Sequence, residues 1–389
     1  MKIKELTMKY FFYDIVPTNI IRFYQHYIES IRNSDRNSEF FFGIEHEDGK
    51  TFNDVNNHYY FNKDLICTQF KSINWFIDYF KKNKIDVVFI NGQRIADDRV
   101  IFAAKKLGIK TFMVQHGMYI PFLKRDVKFF TSKVKKALSY LYYTIDISRQ
   151  YKKDIFLPIK YFKVYVLGEN QINAKIDRAF MNVDHVFVYG DYWKNFHVSQ
   201  FGYQLSEQVT IGTPDLFDLD DIAKKPLDDS ICYIAQTLVE DGRLERKKQL
   251  KFFKSLVDFS ILEGKELIVK MHPRADTSLY ENTSDNVKFV FDEFPYCKTY
   301  IGHYSTLLAK SMSLNNTRTI IFEYEGHPTP HYFVESSVGT IKSTSELKGV
   351  FKKPLLNSSP IESYFNYNPD FSKDFSKLVV EILKSNRLE

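Results

Sequence analysis

Short apolar runs alternate with amphipathic stretches along the first half of the chain. Residues 8–16, MKYFFYDIV, read as a buried strand, and Pro17 and Thr18 open the helical stretch that follows. EFFFGIEH at 39–46 is a second strand. FKSINWFIDYFKKNK at 70–84 has the apolar spacing of an amphipathic helix, and DVVFING at 86–92 returns to a strand. A helix near 97–107 leads into the strand TFMVQHG at 111–117. Apolar strands separated by helices predict a parallel sheet covered on both faces.

Residues 121–164 interrupt this rhythm with a basic, aromatic excursion. Its helix, TSKVKKALSYLYYTI, places Val134, Leu138 and Leu141 near one face and Lys133 and Lys136 on another. Two readings stay open: a helical excursion docked on the core, or a patch that meets a membrane surface or an acidic acceptor. The α/β rhythm resumes with strands at 185–193 and 207–215, and 216–229, a polar stretch holding Pro226, reads as a linker. Beyond it come strands at 230–236, 266–273, 288–291, 299–305 and 319–326, interleaved with helices, and a final helix DFSKLVVEILKSN. The organisation expected is a domain over 1–215, the linker, and a second domain over 230–389. Both are doubly wound, and ligands bind such sheets at the carboxyl ends of the strands.

Length and charge support this picture. At 389 residues the chain fits two α/β domains. Lys and Arg total 54 against 48 Asp and Glu, a net charge of +6. With no run of five like charges, nucleic acid is not an expected partner. Cys67, Cys232 and Cys297 lie far apart and fit neither a disulfide framework nor a zinc site, which points to a reducing cytoplasm. The amino-terminal apolar run is too short for a signal peptide, and no apolar run reaches 18 residues, the length needed to span a membrane.

Three polar clusters follow strands of the second half: Gln236-Thr237-Leu238-Val239-Glu240-Asp241-Gly242, Lys270-Met271-His272-Pro273-Arg274, and Gly302-His303-Tyr304-Ser305-Thr306. Each has a chemical task open to it. Paired carboxylates at Glu240 and Asp241 repel, which leaves one of them basic enough to deprotonate a sugar hydroxyl. His272 can give a proton or hydrogen bond to a departing phosphate, whose second pKa is roughly 6. Ser305 and Thr306 open a helix and offer hydroxyls and N–H groups to a phosphate, with Lys270 and Arg274 adding positive charge. Each cluster alone also has a structural reading, as a turn, a strand end or a helix cap.

The order VEDG, KMHPR, HYST resembles the motif set of bacterial sialyltransferases, with 31 residues from Asp241 to His272 and 33 from His272 to Ser305. The resemblance spans about residues 185–325. It implies a GT-B-like α/β architecture of two Rossmann-like domains facing a cleft, and a CMP-linked acidic sugar as donor with no metal or other cofactor. It also implies Asp241, with Glu240 as alternate, as base, His272 as the acid for the donor phosphate, and Ser305 and Thr306 as phosphate ligands. In some of these families the acidic motif lies in the first domain, a departure that leaves the base open.

A second resemblance supplies the rival. Gln115-His116-Gly117 ends a strand and is similar to the His-Gly element of polyol-phosphate transferases of the teichoic-acid type, in which His116 would be the base. In GT-B enzymes a late acidic residue often holds the donor ribose, which makes Glu323 a candidate. Asp218-Leu219-Asp220 matches a metal-binding DxD, but its place in the linker argues for a solvated turn. The expected function is an inverting, metal-independent transfer of a nucleotide-activated sugar to a glycan hydroxyl in the cytoplasm, with peripheral inner-membrane contact through 121–164. The alternatives are a polyol-phosphate or other nucleotide-sugar transferase, and a non-catalytic module that binds sugar nucleotides or glycans.

Overall fold

The computed structural model describes residues 7–15, 17–45, 65–118, 127–152, 154–216, 218–240, 244–272, 275–280, 284–324, 329–355 and 360–385. The chain divides into two compact units: Met1–His116 with Arg125–Pro214 and Asp370–Glu389, and Gly117–Lys124 with Asp215–Pro369.

The first unit is built on seven parallel strands: β1 Lys9–Asp14, β2 Glu39–Ile44, β3 Leu65–Cys67, β4 Val87–Ile90, β5 Lys110–Val114, β6 His185–Val188 and β7 Gln208–Thr210. Their order is β3-β2-β1-β4-β5-β6-β7, so the chain winds outward in opposite directions from the β1–β4 pair. Tyr10 to Tyr13 of β1 are buried on both faces, which is why this strand reads as an unbroken apolar run. The helix Ile73–Asn83 starts at Ser72, whose hydroxyl accepts from the Trp75 N–H at 3.2 Å. It buries Ile73, Phe76 and Phe80, one stripe of a 3.6-residue period.

The helix Ile95–Lys106 is enclosed, and it takes three charges inside: Asp97, Asp98 and Arg99 are each 0% exposed. Each has an ionic partner, Asp97 in Arg94 at 2.6 Å, Asp98 in Arg178 at 2.9 Å and Arg99 in Glu45 at 2.8 Å. Pairing is what makes such burial tolerable.

The second unit has six parallel strands: β8 Asp228–Ile234, β9 Leu267–Lys270, β10 Val287–Val290, β11 Cys297–Gly302, β12 Arg318–Phe322 and β13 Gly339–Ile341. They run in the order β10-β9-β8-β11-β12-β13, and winding reverses between β8 and β11.

Two expectations about domain limits are corrected. The final helix, Phe371–Ser385, belongs to the first unit and not to the second. Phe375 is fully buried there, with ring centroids 4.9 Å from Tyr27, 6.0 Å from Phe89 and 5.2 Å from Phe187. The stretch expected as a linker is folded into the second unit: Leu216, Leu219 and Ile222 are buried, and Leu219–Ala223 forms a helical turn.

The basic, aromatic excursion forms two helices, Val127–Tyr151 and Leu157–Tyr165, with Leu138 and Leu141 exposed. Among the described residues no helix is long and apolar enough to cross a membrane.

Candidate functional site

The carboxyl edge of the second sheet carries a cavity of about 390 Å³ at the winding reversal. Gln236, Lys270, His272, Ser305, Thr306 and Lys310 line it, as do Asp218, Asp292 and Phe294. The strands deliver these residues directly. Lys270 is the last residue of β9, so it and the two residues that follow, Met271 and His272, reach the cavity from the strand end, with Met271 also packed in the core. Gln236 follows β8 and donates through Nε2 to the carbonyl of Tyr304 at 2.9 Å, which joins the ends of β8 and β11.

Two lysines shape the electrostatics. Lys270 and Lys310 are only 7% and 6% exposed. Nζ of Lys270 donates to the carbonyl of Phe291, and burial pushes its pKa below the usual lysine value, against the opposing pull of Asp292. Lys310 pairs with Asp218 and lies 5.2 Å from the centre of the Phe294 ring. Both lysines lie on the cavity wall among the carboxylates of Asp218 and Asp292, and each can offer a charge-assisted hydrogen bond to an anion that enters.

Ser305 caps the helix Thr306–Met312, its Oγ accepting from the Leu308 N–H at 3.0 Å. A hydroxyl that accepts in this way keeps its own O–H to donate.

Other expected residues fall elsewhere. Gly302 is packed into the sheet, where a Cβ would meet the Ile234 carbonyl oxygen at 3.3 Å. His303 is a core residue, 3% exposed, with Nδ1 donating to the Phe322 carbonyl at 2.7 Å and its ring stacked on Tyr324 at 4.3 Å. Glu323 belongs to a separate depression of about 270 Å³ with Lys248, Lys251 and Lys342. Its carboxylate accepts from the Thr329 N–H at 2.7 Å and lies 3.5 Å from Lys342. Glu240 is exposed and accepts from the Asp276 N–H, which ties the loop after β8 to the loop after β9. Asp241 and Arg274 lie outside the described residues.

Lys310, Asp292 and Phe294 stand outside the three polar clusters of the sequence, and Asp218 lies in the stretch expected as a linker. The signal for Lys310 was present: it stands four residues after Thr306 on the same helix face.

The first unit has its own polar cluster at the matching edge. Asp14 ends β1, Asn91 follows β4, and His116 follows β5 beyond Gln115. Gln115 is buried and anchors the turn, its Oε1 accepting from the Tyr189 N–H at 3.0 Å. Gly117, at φ +65°, then turns the chain through the left-handed region that glycine enters without strain. His116 stacks on Phe23 with centroids 4.5 Å apart and planes 20° apart. Its Nδ1 lies 3.3 Å from Asn91 Nδ2 and 3.5 Å from Asn19 Nδ2. Among the described residues no group of three His, Cys, Asp or Glu side chains converges to hold a metal ion.

No family profile matches the sequence, and no curated protein matches it. Solved structures do resemble the fold. UDP-GlcNAc 2-epimerase from Methanocaldococcus jannaschii, in complex with UDP-GlcNAc and UDP, is 11% identical, with 97% of this chain and 100% of that chain covered and a TM-score of 0.53. A putative UDP-N-acetylglucosamine 2-epimerase from Listeria monocytogenes is 10% identical over 98% of this chain and 97% of that chain, at a TM-score of 0.54. A variant of the wall teichoic acid polymerase TagF is 13% identical over 98% of this chain and 90% of that chain, at 0.52. At such identities the likeness concerns architecture: the two parallel, doubly wound units have the GT-B fold.

Proposed function

We propose that this protein is a transferase that binds a nucleotide-activated sugar by its phosphate in the second-unit cavity and passes the sugar to a glycan hydroxyl. The observation that carries the reading is the meeting of two nearly buried lysines, Lys270 and Lys310, with His272, Ser305 and Thr306 in one cavity at the reversal of strand order. The bound UDP-GlcNAc and UDP of the M. jannaschii relative in fold support a nucleotide sugar as the ligand class. The motif order VEDG, KMHPR, HYST favours a CMP-linked acidic sugar as donor.

In this reading Asp241 takes the proton of the acceptor hydroxyl and the oxygen attacks the anomeric carbon. The bond to the phosphate oxygen breaks, and cytidine monophosphate leaves with a proton from His272. Lys270 and Lys310 stabilise the charge that develops on the phosphate, the task a metal performs in other transferases. Nucleotide release from a panel of CMP-, CDP-, UDP- and GDP-sugars tests this. Release from a CMP-sugar that falls at least about 100-fold in His272→Ala supports it. Release from none of the four rejects it.

A second reading, polyol-phosphate transfer with His116 as base, is favoured by one observation: His116 follows β5 in a polar cluster with Asn91 and Asn19, its ring held on Phe23. If His116→Ala abolishes turnover and Asp241→Ala leaves it intact, the second reading replaces the first.

A further inference from the structure

The contacts of His116 determine which ring nitrogen carries its proton. Asp14 is fully buried and, as a carboxylate, can only accept hydrogen bonds. It accepts from Asn91 Nδ2, and from Asn19 Nδ2 at 3.3 Å, so both amides turn their NH2 ends toward it. Arg94, which can only donate, reaches Asn91 Oδ1 at 2.8 Å and so fixes the other end of that amide. The Arg94 guanidinium is itself held by Asp97 at 2.6 Å and lies 3.7 Å from Asp14. Flipping Asn91 would set its carbonyl against Asp14 and its NH2 against Arg94, two repulsive contacts in place of two hydrogen bonds.

An Asn NH2 has two protons. With one on Asp14, the second points from Asn91 to His116 Nδ1 at 3.3 Å, and Asn19 offers another at 3.5 Å. A ring nitrogen that faces two donors must present its lone pair. We infer that Asp14, acting through Asn91 and Asn19, holds His116 as the neutral imidazole with its proton on Nε2. Phe23 fixes the plane of that ring and the two amides fix its rotation within the plane.

The consequence is chemical. An imidazole whose lone pair is engaged at Nδ1 and whose Nε2 is protonated donates a hydrogen bond; it does not take a proton at Nε2. His116 is therefore a donor to an anionic or carbonyl oxygen of the substrate, a phosphate or a carboxylate, and Asp14, Asn19 and Asn91 are positioning residues. The inference rests on the second reading above only for bringing a substrate oxygen to His116, and it changes the role given there from base to donor. It weakens that reading, because the resting state has no base at Nε2.

The test is a long-range 15N–1H correlation spectrum of the full-length, uniformly 15N-labelled protein, with His116→Gln used to assign the resonance. The expected result at neutral pH is an Nδ1 shift of the unprotonated type and an Nε2 shift of the protonated type. In Asn91→Leu, which removes the nearer donor, both shifts should move toward the averaged values of two exchanging tautomers. A protonated Nδ1 in the wild type, alone or together with a protonated Nε2, overturns the inference. The spectrum reads the tautomer whether or not any nucleotide sugar turns over, so failure of the functional reading is seen separately.

Discussion

The Gln236 side chain donates to the main-chain carbonyl of Tyr304 at 2.9 Å, across the gap that opens where β8 and β11 send their connections in opposite directions. The bond fixes the backbone immediately before Ser305 and Thr306, so it acts on the candidate phosphate site at one remove. Gln236→Leu removes it while keeping most of the side-chain volume. The expected loss in nucleotide affinity is about fivefold, the equivalent of about 1 kcal/mol, with the unfolding midpoint little changed. Calorimetric titration with CMP and UDP on both proteins checks it; unchanged affinity would mean that the Tyr304 carbonyl holds its place without Gln236.

Burial of Lys270 gives a pH dependence with a definite sign. Burial holds its folded pKa below the 10.5 of a lysine in water, chiefly because the charged form loses its hydration. Between that lowered value and 10.5 the unfolded chain binds more protons than the folded one, so the stability of the ligand-free protein gains from rising pH across that window. Lys270→Met deletes this contribution. Melting temperatures measured from about pH 8 to about pH 10.5 should therefore rise less, or fall more, in the variant than in the wild type. Parallel curves would show that Lys270 titrates as it does in water.

Phe375 tests the allegiance of the final helix. Its ring fills a fully buried site against Tyr27, Phe89 and Phe187. Phe375→Ala should destabilise the first unit by about 3–5 kcal/mol. In a denaturant titration followed residue by residue, loss of structure in β1, β4 and β6 should move to lower denaturant. Resonances of β8 to β13 moving by the same amount would contradict the assignment of this helix to the first unit.

Gly43 of β2 is a close-approach position. A Cβ there would lie 2.5 Å from Cζ of Phe11, a ring that is itself 0% exposed and edge-packed on Phe80 at 5.1 Å. The ring has no room to retreat, so Gly43→Ala should cost about 1–3 kcal/mol in spite of the better strand propensity of alanine. Chemical denaturation measures it directly, and a stabilised variant would show that Phe11 can repack.

Most of the strand inventory was legible because a parallel strand buried on both faces is an apolar run in the sequence, as in Tyr10 to Tyr13 and Val87–Ile90. The exceptions, β3 and β13, are three-residue strands at sheet edges, too short to show a period. The final helix was legible as a helix, since its apolar stripe says that it packs. The stripe does not say on what, and so its partners in the first unit were missed. Of the strand-end residues expected at the site, His272 and the Ser305–Thr306 pair line the cavity, whereas His303, expected as a donor contact, lies in the core. Both histidines follow strands, and only the three-dimensional packing sets the second against Tyr324 and the Phe322 carbonyl. Lys310 and Asp218, 92 positions apart, form an ion pair that no local pattern announces.

The central claim is that a nucleotide phosphate sits among Lys270, Lys310, His272 and the Ser305–Thr306 pair. The most direct measurement is calorimetric titration of CMP, CDP and UDP into the wild-type protein and into a Lys270→Met/Lys310→Met double variant, with the unfolding transition of the variant as the control for folding. The wild type should bind at least one of the three, and the double variant should bind it at least about 100-fold more weakly, as expected for two charge-assisted contacts. A wild type that binds none of them, or a folded double variant that binds as tightly as the wild type, would contradict the account.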